Sequence, residues 1–282
     1  NATEAKSDLT VSGSSSAEAG QTVTVSLNGK DYTTTVSADG SWTLNVPAAD
    51  VAALTDGSVT VTASVSDKAG NPASVDHTLT VDVTVPAVTI NTVAGDDVIN
   101  LAEHSQAHII SGTATGAAAG DKVTVTIGGQ TYTTVLDAAG NWSVGVPASV
   151  ISGLSDGSVT VTASVTDAAG NTGTGTHNVT VDTGLPSVAF NAISDDNVLN
   201  AVEKGQDLRV SGTSANLAEG TVVAVTLNGK NYTATTAADG TWSLTVPAAD
   251  LAGLGEANYT LSATATNGVG NSVSNTANLL VD

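Results

Sequence analysis

One tryptophan phrase returns every 100 residues, and that period constrains the fold more than any other feature of the chain. Trp42, Trp142 and Trp242 stand in DGSWTLNVPA, AGNWSVGVPA and DGTWSLTVPA. The register extends to Gly20, Gly120 and Gly220, to Tyr32, Tyr132 and Tyr232, to Asn71, Asn171 and Asn271, and to Asp82, Asp182 and Asp282. Asn100-Leu-Ala-Glu103 matches Asn200-Ala-Val-Glu203 and, one residue out of step, Asn1-Ala-Thr-Glu4. The reading is three tandem modules, 1–83, 84–183 and 184–282, the first without its opening strand. Residue 1 is therefore expected to fall inside a longer array.

Within each copy the apolar period is two, as in Val123, Val125 and Ile127 and again in Val159, Val161, Ala163 and Val165. Alternation of this kind buries one face of a strand and wets the other. Asn28-Gly29, Gly128-Gly129 and Asn228-Gly229 supply the positive φ that a two-residue hairpin needs. A second reversal at Asp39-Gly40 and its counterparts precedes the Trp strand, which predicts a three-strand meander at the centre of each module. One helical turn is expected after Pro47, with further strands near 58–66, 74–82, 87–91 and 108–114. About seven strands per copy, with turns at this spacing, predict an all-β fold of three immunoglobulin-like β-sandwiches in an elongated rod.

Composition sets the outer limits. With 27 acidic and 7 basic residues the formal charge is −20, which opposes binding to nucleic acid or anionic membrane and makes cations the natural partners. There is no cysteine, so neither disulfides nor thiolate metal sites hold the modules together. No apolar run is long enough for a membrane span. The copies share no nucleophile motif, phosphate loop or acid–base pair, so no enzyme is expected.

The acidic residues gather where one copy meets the next. Asp82 and Asp182 end the last strand of their copies, and the connectors Val83-Thr-Val-Pro86 and Thr183-Gly-Leu-Pro186 follow. Soon after come Asp96, Asp97, Asn100 and Glu103, repeated as Asp195, Asp196, Asn200 and Glu203. Ca²⁺ takes six to eight oxygens from carboxylates, amides, carbonyls and water, and such a phrase could supply much of that shell. Turn chemistry alone also favours Asp, Asn and Gly at these places. Uncompensated carboxylates this close repel one another, however, which favours a metal for the Asp-Asp/Asn/Glu phrase. The turn Asp67–Asn71, with Asp167–Asn171 and Asn267–Asn271, reads equally well as turn or ligand. Topology brings Asp167 toward Asp82 across the first boundary and the Asp96–Glu103 loop toward Asp182 at the opposite end. Asn267 replaces the acid of its siblings, which weakens any site there.

The three Trp residues read as core, and the aligned Tyr residues leave an exposed binding role open. His77 and His177 face Ala277 in the third copy, so a shared metal or catalytic role is not expected. His104 aligns with Lys204 and Ala5, and nothing chemical repeats at that position.

SGTATGAAAGDKVTVTIGGQTYTTVLDAAGNWSVGVPA, followed by GSVTVTASVTDAAGNTG, resembles the bacterial immunoglobulin-like repeats of giant non-fimbrial adhesins and biofilm-associated proteins exported by type I secretion. The resemblance implies a Cys-free rod at the bacterial cell surface, with Ca²⁺ near its junctions. It points to Asp82, Asp96, Asp97, Glu103, Asp167, Asp182, Asp195, Asp196 and Glu203 as ligands. It also implies that neighbouring repeats are the immediate partners and that a host-cell or biofilm receptor is engaged elsewhere. Modules that bind carbohydrate or host protein through exposed aromatics, or that accompany a secreted polysaccharide hydrolase, are the alternatives.

Overall fold

The computed structural model describes all 282 residues. The first module holds β1 (Leu9–Ser14), β2 (Thr22–Leu27), β3 (Lys30–Thr35), β4 (Ser41–Val46), β5 (Gly57–Ser66) and β6 (Pro72–Val81). The second holds β7 (Ala87–Ile90), β8 (Val98–Asn100), β9 (His108–Thr115), β10 (Lys122–Ile127), β11 (Gln130–Val135), β12 (Asn141–Val146), β13 (Gly157–Thr166) and β14 (Thr172–Asp182). The third repeats this set as β15 (Ser187–Phe190), β16 (Val198–Leu199), β17 (Leu208–Ala215), β18 (Val222–Leu227), β19 (Lys230–Thr235), β20 (Thr241–Val246), β21 (Ala257–Thr266) and β22 (Ser272–Val281).

Each module is a sandwich of two sheets. In the second module the larger sheet runs β11-β10-β13-β14-β8 and the smaller β12-β9-β7; the third module repeats both. β8 lies parallel to the end of β14, with Val98 opposite Thr180 and Asn100 opposite Asp182. The first module has only β3-β2-β5-β6 and β1-β4, because nothing in it corresponds to β7 or β8.

The predicted hairpin forms between β2 and β3, with Asn28 at φ 49° and Gly29 at φ 75°. The predicted meander does not. β4 leaves the sheet of β3 and pairs with β1, and the Asp39-Gly40 reversal is a crossover between sheets. The reason lies in the core: Val36 before the turn and Trp42 after it are both buried and must enter the space between the sheets from opposite sides. An eighth strand, β8, also forms inside the acidic phrase that the sequence suggests is a loop.

Trp142 lies flat against β9 because Gly112 has no side chain. A Cβ there would sit 2.5 Å from Trp142 Cζ2 and 2.0 Å from the Thr89 carbonyl oxygen of β7. Gly13 and Gly212 underlie Trp42 and Trp242 in the same way, so one glycine per module admits the indole. Phe190 adds an edge-on contact to Trp242, with centroids 5.4 Å apart.

Each module has its own core, of 10, 17 and 19 buried residues from first to third. The missing strands explain the smallest of them. A groove of about 510 Å³ opens between the two sheets of the first module, lined by Leu9, Val11, Val61, Ala63, Val75 and Leu79 among others. Val75 is 66 % exposed there, whereas its counterpart Gly175 lies under β7.

His104 and Lys204 differ chemically yet do the same work, which sequence alignment alone does not suggest. Each side chain reaches the carbonyl of a residue 50 positions ahead, Leu154 or Leu254, closing the loop after the short helix Ala148–Ile151 or Ala248–Leu251. No helix is long and apolar enough to cross a membrane.

Candidate functional site: the seams between modules

The turn that joins β13 to β14 positions the seam. Asp167 Oδ1 accepts hydrogen bonds from the backbone N–H groups of Ala169 (3.0 Å) and Asn171 (2.8 Å), and its Oδ2 accepts from Asn171 Nδ2 (2.9 Å). Asp67 accepts the same two bonds from Asn71, through its N–H (2.8 Å) and its Nδ2 (2.8 Å), in the first module, so the turn forms from its own sequence. Burial raises the Asp167 pKa, but the hydrogen bonds from Asn171 outweigh it and hold the carboxyl below its ordinary value.

Asn171 then crosses the seam. Its Nδ2 donates to the carbonyl of Asp82 (3.0 Å), and its Oδ1 accepts from the Ala2 backbone N–H (2.7 Å). At the second seam Asn271 Nδ2 donates to the Asp182 carbonyl (2.9 Å), and Oδ1 accepts from Leu101 N–H (2.8 Å). Both asparagines are buried, at 4 % and 3 % exposure, and both are fully partnered. A side-chain amide can do this because it carries a donor and an acceptor side by side; an ionised carboxylate, which has no donor, could not serve both groups.

The connectors are pinned from their own side. Asp56 accepts from Val83 N–H (2.6 Å) and from the Thr84 hydroxyl, and Asp156 accepts from the N–H (3.0 Å) and hydroxyl (2.8 Å) of Thr183. The Thr84 hydroxyl and the Val83 amide lower the Asp56 pKa; the Thr183 amide and hydroxyl lower that of Asp156. Sequence reasoning passed over these two acids. Their signal was an Asp-Gly placed identically in two copies, which reads as an ordinary turn.

The structure brings only some of the expected ligands together. Asp82 and Asp182 are half-buried at the seams and each accept one bond from the connector, from Thr84 N–H (3.1 Å) and Gly184 N–H (3.0 Å). Asn100 lies opposite Asp182 in the sheet, and Glu103 Oε2 accepts from Asn100 N–H (3.1 Å). Asn200 and Glu203 repeat this geometry at the far end of the third module. Asp96 and Asp97 stand apart, about 10 Å back along β8 at some 3.3 Å per residue. Asp97, at φ 64°, locks its own loop: Oδ1 accepts from Val93 N–H (2.8 Å) and pairs with His177 Nε2 (2.7 Å). Val93 lowers its pKa most, against burial, and His177 adds to the effect. Asn197 does the same for Ile193 in the third module. Asp195 and Asp196 are exposed on that loop, with Asp196 accepting from Val198 N–H (2.9 Å).

The charge at the seams is uncompensated by basic side chains. The chain's ion pairs are Lys30–Asp50, Lys230–Asp250, His177–Asp97 and the terminal amine with Glu4. Asp82, Asp167, Asp182 and Glu103 take part in none of them. Asp82, Asp182 and Glu103 each retain one carboxylate oxygen without a protein donor. This oxygen-only donor set suits a hard cation. Nowhere do three carboxylate or histidine side chains converge as a metal cluster, so backbone carbonyls and water would have to complete any shell.

The aromatic side chains offer no stacking platform. Trp42, Trp142 and Trp242 are buried, and the Tyr residues and Phe190 are half-buried. Tyr32 and Tyr232 donate their hydroxyls to Asp50 and Asp250, each at 2.8 Å, and burial first and the hydrogen bond next push Tyr232 up to about 12.

Residues 1–83 and 84–183 match the bacterial Ig-like domain model, and the chain belongs to that family. A segment of a 1.5-MDa bacterial ice-binding adhesin, solved for its host cell surface retention, is 35 % identical, with 100 % of this chain and 93 % of that chain covered and a TM-score of 0.52. A Ca²⁺-stabilized adhesin that helps an Antarctic bacterium reach out and bind ice is 39 % identical, with 100 % of this chain and 71 % of that chain covered and a TM-score of 0.50. No curated protein matches the chain.

Proposed function

We propose that this chain is a stalk segment of a large secreted bacterial surface adhesin, in which Ca²⁺ held at or near the seams stiffens successive modules into a rod. The division at 83/84 and 183/184 is part of the proposal. The observation that carries it is the seam itself. Connectors of four residues leave the modules in direct contact through Asn171 and Asn271, beside carboxylates that no basic side chain neutralises. The calcium-stabilized adhesin with a similar fold supports the choice of ion.

Asp82, Asp167, Asp182, Asn100 and Glu103 are the ligands we assign to the seams. Asp96, Asp97, Asp195 and Asp196 belong at most to separate sites on the loop, and Asn200 and Glu203 would serve a seam beyond the third module. Ca²⁺ supplies positive charge that mutual repulsion of the acids otherwise lacks. Extracellular modules bind it at about 10⁻⁴–10⁻³ M, so a joint that depends on the ion would be flexible in a calcium-poor cell and stiff outside it. A spacer of this kind fits type I export and a role in adhesion or biofilm formation, with the receptor contacted elsewhere in the protein. It performs no catalysis. Calorimetric titration tests the assignment: Asp82→Asn with Asp167→Asn should abolish at least one calcium-binding event of the full chain. Unchanged stoichiometry and affinity would refute those ligands.

A further inference from the structure

The two seams are closed by different chemistry, and one position decides the difference. At the second seam Asn267 keeps the turn as an acid does, its Oδ1 accepting from Val269 N–H (3.2 Å) and Asn271 N–H (2.9 Å). That leaves Nδ2, which Asp167 does not possess, to donate to the connector carbonyl of Gly184 (3.1 Å) and so tie the connector down onto the third module. Asn271 Nδ2 shares the same carbonyl (3.2 Å), and Asn216 Nδ2 reaches it at 3.3 Å. One connector oxygen thus gathers three side-chain amides.

The first seam has no such clasp. Gly116 stands in place of Asn216, and Asp167 in place of Asn267, so neither can donate. One asparagine bridges each seam, Asn171 or Asn271, but the carbonyl of Thr84, counterpart of Gly184, receives no hydrogen bond, so the first connector is not tied down onto the module that follows it. An ionised carboxylate has no hydrogen to donate to a carbonyl, whereas an amide has two.

We infer that Asn267 makes the second seam a joint that closes without a cation, while Asp167 leaves the first seam dependent on one. The second clause rests on the calcium reading given above; the first stands on the amide clasp alone. The chain then carries one ion-gated and one fixed joint, set by one residue per module, so calcium would bend or straighten it at the first seam.

The absence of cysteine allows site-directed spin labels in the full chain. Thr43, Ser143 and Ser243 are exposed equivalents on the Trp strands. Labels on Thr43→Cys with Ser143→Cys report the first seam, and Ser143→Cys with Ser243→Cys the second. Expected is a second-seam distance distribution that is narrow in chelator and unchanged by millimolar Ca²⁺, and a first-seam distribution that is broad in chelator and narrows with the ion. Asn267→Asp should broaden the second seam in chelator, and Asp167→Asn should remove the calcium response of the first. A second seam that is broad in chelator overturns the inference, as does one that stays narrow in both Asn267→Asp and Asn267→Ala. A first seam indifferent to calcium, beside a second seam that loosens on Asn267→Asp, would sink the calcium reading and leave the clasp standing.

Discussion

At the scale of single residues, the seam turns on two asparagines whose hydrogen-bonding capacity is fully used. Removing the bridge by Asn271→Ala takes the partner from Leu101 N–H and from the Asp182 carbonyl at a half-buried seam, at a cost of about 0.5–1.5 kcal/mol for each bond. Amide exchange at Leu101 should accelerate accordingly, and unchanged protection would contradict the bridge. Asp167 makes the seam acid-sensitive. Its folded pKa lies below the ordinary 3.8, so its stabilising contribution is complete above that value and is lost as the pH falls through the lowered one. Protection of the Ala169 and Asn171 amides, measured against their intrinsic exchange rates, should therefore be steady from neutrality to about pH 4, where Asp167 still resists protonation, and then fall. The core follows the same logic of fit. Gly112→Ala should destabilise the second module by about 1–3 kcal/mol, read from urea unfolding, since its Cβ has both Trp142 and a β7 carbonyl in its way.

At the scale of elements, β7 and β8 decide which modules are complete. β7 passes so close to β14 that a Cβ on Gly175 would lie 2.4 Å from the Val88 carbonyl. Gly175→Val should displace β7 and expose Val88 to Ile90 to amide exchange. Gly175→Asn should retain it, because Asn275 donates to the equivalent Val188 carbonyl at 2.8 Å in the third module. Equal exchange in the two variants would show that the contact does not hold the strand. Much of this architecture was legible beforehand. Alternating Val and Thr announced strands such as β10, paired Asn-Gly announced the hairpins, and the repeated Trp announced the core. Other features were hidden for physical reasons. Alternation records that a residue is buried but not from which sheet, so the departure of β4 from β3 left no mark. The acidic phrase looked like one ligand loop because nothing local reveals that Val98–Asn100 adds a parallel strand and separates Asp97 from Glu103. Asn171 and Asn271 spelled a turn equally well, and their reach across the seam depends on residues far away in the chain.

At the scale of the whole molecule, the net charge of −20 acts on a rod of three separate cores. The first core is the smallest and opens on a groove, so the first module should melt before the other two in a calorimetric scan. A single transition at a common temperature would contradict this. Monovalent salt screens the acids over about 10 Å at 0.1 M but cannot bridge two of them. A divalent ion can, and on that difference the proposed function depends. Small-angle scattering of the full chain in millimolar calcium, against chelator at equal ionic strength, tests it most directly. The account predicts a longer maximum dimension and a rod-like profile with the ion, and a shorter, bent ensemble without it. Identical profiles in the two conditions would contradict it.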